Sequence, residues 1–332
     1  MKSESLNPKH FCRTPGRCFG FLFSGVLFLT LILAACTESP TPHAWITNQL
    51  DDTVSVINTR TQKKIATIKV GHRPAGIAVS VPYIFVTNAE SLDVSFIDQK
   101  TLKVVGTVPV GKGPVGIAAN QSGTKIYVAD WYEHRVSVID TATQKIIKQI
   151  KVGESPAGLL INEKKNHLYV ANRDSDSVSI IDTESYEVLT ELPTGDAPFG
   201  LAVNAENQDL YAVNVRSNNV TVIDTNELKV KQTLSVGDWP YCAITSLDGK
   251  KLFVTNQDDD SVTVMNTKTE EIISVIDTGS TPEGIDITPD GKSVYVANWG
   301  DNTVSVIDVA TLKVTQTIDT GEGSRAFGLF IQ

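Results

Sequence analysis

The chain has 332 residues, 41% of them hydrophobic and 7% aromatic, with a formal net charge of −9 at pH 7. This is the composition of a soluble globular protein long enough to bury a large core. Its acidic balance argues against nonspecific binding to nucleic acid, because phosphate neutralisation needs a basic surface.

The first 35 residues stand apart. Lys2, Lys9, Arg13 and Arg17 precede an apolar run from Phe19 to Leu33, which closes as Leu33-Ala34-Ala35-Cys36. That run is short for a membrane span, which needs about 20 residues. A basic flank, an apolar centre and small closing residues describe a secretory signal peptide. The closing cysteine resembles the lipobox of bacterial lipoproteins, which implies cleavage before Cys36 and lipidation of that residue. An uncleaved N-terminal anchor is the alternative, and both place the remainder outside the cytoplasm. Thr37 in place of Asp after the cysteine resembles outer-membrane sorting in Gram-negative envelopes. Loss of residues 1–35 removes four Lys/Arg and one Glu from totals of 29 and 38, leaving 25 basic and 37 acidic residues, a net of −12. Cys12 and Cys18 leave with the signal, so Cys242 is the one unmodified cysteine of the mature chain and an internal disulfide is excluded.

Residues 36–43 read as a tether and 44–332 as one repetitive domain. The words WITN, FVTN, YVAD, YVAN, YAVN, FVTN and YVAN end at residues 48, 88, 130, 172, 214, 256 and 298, a spacing of 40 once and 42 five times. Each period contains four short runs rich in Val, Ile, Tyr and Thr, punctuated by Gly, Asn, Asp and Pro. Leu247-Asp248-Gly249 and Pro289-Asp290-Gly291 supply glycine where a hairpin loop needs positive φ. Four antiparallel strands per period, seven times, predict an all-β seven-bladed β-propeller. The repeats resemble the YVTN family of β-propeller repeats, related to the lactonase-like propellers, over the whole of residues 44–332. The innermost-strand word Pro-x-Gly-apolar runs from RPAGIAV to a last copy, SRAFGLFI, while the domain opens at WITN without one. The C-terminal strand is therefore expected to complete the first blade and remove an open sheet edge.

With strands a to d numbered outward from the axis, the a–b and c–d turns share one face and the b–c and d–a loops the other. The first face carries lysines such as Lys100, Lys125, Lys164, Lys165, Lys250 and Lys268. The tether emerges on it and reaches about 28 Å at most. This face is expected to look toward an anionic membrane, each lysine adding about 1 kcal/mol; a solvated turn explains any single one.

The loop face varies most, its b–c words reading QLDDT, AESLD, WYEHR, RDSDS, VRSNN, QDDDS and WGDNT. In ring order Arg325, Arg73 and Lys112 form a predicted basic arc at the channel mouth. Glu154, Asp196 and Asp238 form an acidic one, with Glu322 intruding on the basic side. Trp131, Tyr132, Trp239 and Trp299, with His134 and Arg135 beside them, supply anchors of the kind common in binding surfaces. One reading is a site for a zwitterionic or polar ligand, or for a partner's loop. In the other, Arg173 and Arg216 pair with the acids and the aromatics pack between blades, as is expected of Tyr241. The Asn or Asp ending each b strand is expected to bond local backbone amides.

No Gly-x-Ser-x-Gly is present, and no Cys-x-x-Cys-His for haem. His43, His72, His134 and His167 share no helix-type zinc spacing. Gln257-Asp258-Asp259-Asp260 lacks the spaced ligands of an EF-hand and reads as solvated acids. The expectation is a monomeric, cofactor-free envelope protein that binds or scaffolds without catalysis. The alternative is a lactonase-like hydrolase at the channel, with Asp286 and Glu283 as its carboxylates.

Overall fold

The computed structural model describes residues 42–332 except 205 and 207; the predicted signal, Cys36 and most of the tether lie outside the described residues. The first blade contains β1 (His43–Asn48), β2 (Thr53–Asn58) and β3 (Lys63–Lys69). The second contains β4 (Pro74–Ser80), β5 (Tyr83–Asn88), β6 (Asp93–Asp98) and β7 (Lys103–Pro109), antiparallel and in that spatial order. The same meander recurs up to the seventh blade, Pro282–Ile287 through Lys313–Asp319. Gly249 and Gly291 sit at φ 67° and 70°, as their turns require.

The strands do not alternate between core and solvent. Each b and c strand is buried along nearly its whole length, because blades stack face to face and cover both sides of each sheet. Only the outermost strands show the exposed pattern of a sheet edge. Trp45, Phe85, Tyr127, Tyr169, Tyr211, Phe253 and Tyr295, which open the repeated words, are 0–2% exposed. Burial of each such side chain contributes about 1.5–3 kcal/mol. At the axis the inner strands crowd: a Cβ on Gly116 would lie 1.8 Å from the Ala157 carbonyl oxygen.

Closure occurs where expected. Trp45 N donates to Phe330 O at 2.9 Å, His43 N to Gln332 O at 2.8 Å and Arg325 N to Thr47 O at 2.8 Å. One buried cluster joins blades seven, one and two through Tyr295, Trp45, Ile77 and Phe330. The closing segment is nevertheless not a regular strand. Ser324 faces Asn48 and Ile331 faces Ala44, so seven steps on one side span four on the other. Other blades accommodate a single extra residue at this point, as between Pro282↔Asn298 and Ile285↔Val296. The surplus bulges into the channel: Phe327 O accepts from Ile77 N at 2.8 Å, and the Phe327 ring lies 4.9 Å from Phe199 and 5.4 Å from Tyr241. Voids of about 50 and 70 Å³ remain among the inner strands, and a cavity of about 310 Å³ bordered by Leu201, Ile244, Asp286 and Leu329 opens on the far side of the plug.

Candidate functional site: the loop face

A repeated set of hydrogen bonds fixes the loops. Asn88 Nδ2 donates to Asp93 Oδ1 at 2.6 Å and Ser95 Oγ at 2.9 Å. Asn48, Asn172, Asn214, Asn256 and Asn298 make the same two bonds five and seven residues on. The expected bond to a backbone amide appears from Gly321 N to Asn48 and from Gly111 N to Asp130, both at 3.1 Å, and it crosses to the d–a loop. The asparagine thus binds strand c chiefly through side chains.

The third and fourth residues of the variable words are structural too. Asp52, Asp176, Asn218, Asp260 and Asn302 adopt φ of 47–60° and accept the N–H of Arg73, Ala197, Trp239, Thr281 and Gly323 in the loop entering the next blade. His134 performs this task with Nδ1, 3.0 Å from Ser155 N. Asp259 and Asp301 accept from Asp238 N and Ser280 N within their own blades. Two acids of the Gln257–Asp260 run are therefore caps rather than merely solvated charges. Only the first two residues of each word remain to face a ligand.

The channel mouth is lopsided. The residue after the inner-strand proline is Ala75, Val115 and Ala157 in blades two to four, but Phe199, Tyr241 and Glu283 in blades five to seven, with Cys242 replacing the following glycine in blade six and Arg325 in the closing segment. The small side leaves a recess of about 340 Å³ on the loop face, within the usual range of ligand sites. Trp131, Tyr132, Phe199, Tyr241 and Phe327 line it, with Ala89 and Val115 as its small members. The floor is rigid: the Phe199 and Tyr241 ring centroids are 4.2 Å apart and Trp131 lies 6.4 Å from Phe199.

Charge at the recess is internally balanced. Arg325 donates through Nε and Nη2 to Glu283 at 2.6 and 2.8 Å, and Gln257 Nε2 adds a bond at 2.9 Å. Glu283 is 2% exposed, and burial pushes its carboxyl upward while Arg325 pulls it back. The guanidinium lies 5.0 Å from the centroid of Phe327 and 6.0 Å from that of Trp299. Arg73 pairs with Glu90 at 3.3 Å, and Arg173 pairs with Asp174 while lying 5.7 Å from the Trp131 ring. Asp286 is deeper and on the other side of the plug, its Oδ2 accepting from Phe330 N and Ile331 N at 2.7 and 2.8 Å and its Oδ1 from Ile287 N at 2.8 Å.

Of the residues expected at this face, Trp131, Tyr132 and Arg325 converge on the recess, and Lys112 lies beside Gly113 at its lip. Arg135 is turned to Asp130 at 3.0 Å and to Glu133. Trp299 donates to Gln49 Oε1 at 3.2 Å, and Asp238 accepts from Asn218. Trp239, Asp196 and Arg73 stand on d–a loops and do not line the recess. Phe199, Phe327, Ala89 and Val115 were not anticipated there. For Phe199 and Val115 the signal lay in the residue after each inner-strand proline, where two aromatics and three small residues fall on opposite sides of the ring. On the opposite face the lysines stand among acids of their own turns, as in Lys250–Asp248 at 3.2 Å and Lys292–Asp290 at 3.7 Å.

This architecture defines a seven-bladed propeller with a plugged channel and one aromatic recess. Residues 136–241 match the lactonase seven-bladed β-propeller profile. Residues 79–165 and 243–323, together just over half of the chain, match the YNCE-like β-propeller profile. The chain belongs to the YNCE-like β-propeller family. It is similar to Kuenenia stuttgartiensis hydrazine synthase, at 23% identity over 75% of this chain and 87% of that one, with a TM-score of 0.69. A functionally unknown protein from Desulfotomaculum acetoxidans shares 12% identity over 86% of this chain and 99% of its own, at a TM-score of 0.73. Dihydro-heme d1 dehydrogenase NirN in complex with DHE shares 13% over 86% of this chain and 75% of its own, at 0.68. At such identities the likeness is one of fold. No curated protein matches the chain.

Proposed function

We propose that this propeller is a non-catalytic binding protein of the bacterial cell envelope, tethered through a lipid on Cys36, and that the recess lined by Trp131 and Phe199 is its ligand site. The observation that carries the reading is the ring's asymmetry: small side chains on blades two to four stand opposite aromatics that are fixed in place by the plug. A preformed apolar cleft with a few polar groups is the usual form of a binding site. The emergence of residue 43 on the lysine face fits a membrane below and a free loop face above. Two measurements test this: metabolic labelling with palmitate, lost on Cys36→Ala, and crosslinking or ligand capture by the full chain, lost on Ala89→Phe, which fills the recess.

A lactonase-like hydrolase is the second reading, favoured by the profile match over residues 136–241. Its two candidate carboxylates are already engaged, Glu283 by Arg325 and Gln257, and Asp286 by three backbone N–H groups. Lactone hydrolysis that disappears in Glu283→Gln or Asp286→Asn proteins that still fold would establish the enzyme and displace the binding reading.

A further inference from the structure

Three hydrogen-bonding groups on the recess walls have no partner among the described residues: the Tyr241 hydroxyl, the Trp131 indole N–H and Arg325 Nη1. All three can donate, and two can only donate. Burial raises the Tyr241 phenol above its ordinary value, which keeps it a neutral hydroxyl. Unpaired donors beside a low-dielectric aromatic floor favour a ligand that brings acceptors, because a ligand without them leaves those donors desolvated and unmet.

The ring faces point the same way. Aromatic cages recognise ammonium ligands when their π-faces are free. Here guanidinium groups already stand over Phe327 and Trp131, 5.0 and 5.7 Å from the ring centroids, so these faces are not free for a cationic ligand. At the lip Lys112, beside Gly113, makes no ion pair among the described residues, and the Glu90 carboxylate that also lines the recess is paired with Arg73 at 3.3 Å. Five aromatic rings line the recess, tilted 35–70° to one another where they meet, and they offer a conjugated ring the edge and face contacts that a saturated one lacks.

Resting on the binding reading above, we infer that the ligand of this recess is a conjugated ring bearing a carbonyl or carboxylate acceptor, seated against the aromatic lining of Trp131, Tyr132, Phe199, Tyr241 and Phe327 with its acceptor edge toward Tyr241 and Arg325. Tyr132, which is 71% exposed, can close over a ring from the solvent side.

Tryptophan fluorescence of the full chain in detergent, titrated with 2-naphthoate, tests this. Saturable quenching is expected. Ala89→Phe should abolish it, while leaving partition into micelles as an internal baseline. Tyr241→Phe keeps the ring, removes only the hydroxyl, and should weaken binding by roughly five-fold. It also serves if Ala89→Phe does not fold. Cyclohexanecarboxylate and (naphthylmethyl)trimethylammonium should not saturate. If the ammonium binds and naphthoate does not, with Ala89→Phe abolishing the signal, the site survives and the ligand class assigned here is wrong. Naphthoate binding that Ala89→Phe and Tyr241→Phe both leave intact would remove the recess itself. Failure of all three probes, with a protein captured only by the unmodified chain, would replace the small ligand by a partner's loop.

Discussion

Asp286 offers the sharpest test of how the ring is closed. Its carboxylate gathers three backbone N–H groups, two from the C-terminal segment at 2.7 and 2.8 Å and one from Ile287 at 2.8 Å. Asp286→Ala strands three buried donors, each costing about 1–3 kcal/mol. Taking the low end, the loss is roughly 3–4 kcal/mol, or about 10 °C in Tm for a domain of this size. Asp286→Asn keeps one acceptor and turns an NH₂ on a donor, so about a third to a half of that loss is expected. Burial raises the Asp286 carboxyl to about 7 against the opposing pull of the three N–H groups. The sign follows from proton linkage. The folded chain keeps a proton that the unfolded chain releases near its ordinary value, so this group's stabilisation is complete below about pH 4 and is lost as pH rises toward 7. Thermal unfolding of the wild type and Asp286→Asn between pH 4 and 8 should show a gap that narrows with rising pH. A gap that widens would mean that the N–H donors outweigh burial and that the ionised form is the one held. An Asp286→Ala protein melting within a degree or two of wild type would dispose of the anchor altogether.

Arg325→Met leaves Glu283 buried without its cation and should cost about 3–5 kcal/mol, whereas Glu283→Met with Arg325→Met together should recover most of it; chemical denaturation of the three proteins reads this directly. Asp130 is the single Asp among the seven b-strand ends, and Arg135 replaces the Ser, Thr, Asn or Asp found in other blades. Asp130→Asn alone should destabilise by about 1–3 kcal/mol, and pairing it with Arg135→Ser should restore stability to within about 1 kcal/mol, since the third blade then matches its neighbours. His134→Asn should be nearly neutral in Tm while His134→Ala loses roughly 1 kcal/mol, because Asn supplies the acceptor that Ser155 N requires. Gly116→Ala should unfold the chain or prevent its folding, as the new methyl would enter the Ala157 carbonyl.

Seven copies of one sentence made the blades legible: any single word could mislead, but a period of 42 could not. Closure was legible by counting inner-strand words. The plug was harder, although SRAFGLFI puts its glycine in the fifth position where APFGLAV has it in the fourth and RPAGIAV also in the fourth. That slip is small on the page and large at the axis, where Phe327 meets residues from the far side of the ring. Arg325 read as a free cation because its partner is distant in sequence. Glu283 is 42 residues earlier, one period, and equivalent residues of adjacent blades are neighbours. Asp52, Asp176 and Asp260 read as solvent-facing variation because Asp, Asn and His all fill the same capping role, so chemical variety there conceals a shared geometry. The recess was only partly legible, in Trp131 and Tyr132. A cavity is made by what is missing, and Ala75, Val115 and Ala157 mean little until the ring sets them opposite Phe199 and Tyr241.

Ring closure and the candidate site are one construction. The segment that seals blade one against the open edge also supplies Phe327 to the recess wall and Arg325 to its rim, and it is tied to blade seven at two points, Glu283 above the plug and Asp286 below. The loop caps work in the same direction, since each positive-φ Asp, Asn or His holds the loop entering the next blade and so transmits the position of one blade to its neighbour. A propeller closed only by strand pairing could slip by a residue or fray at its seam. Here a slip would pull Phe327 from between Ala75 and Phe199 and carry Arg325 away from a buried carboxylate. The last repeat is irregular because it performs two tasks: it closes the wheel, and it shapes the one surface at which the wheel is not symmetrical.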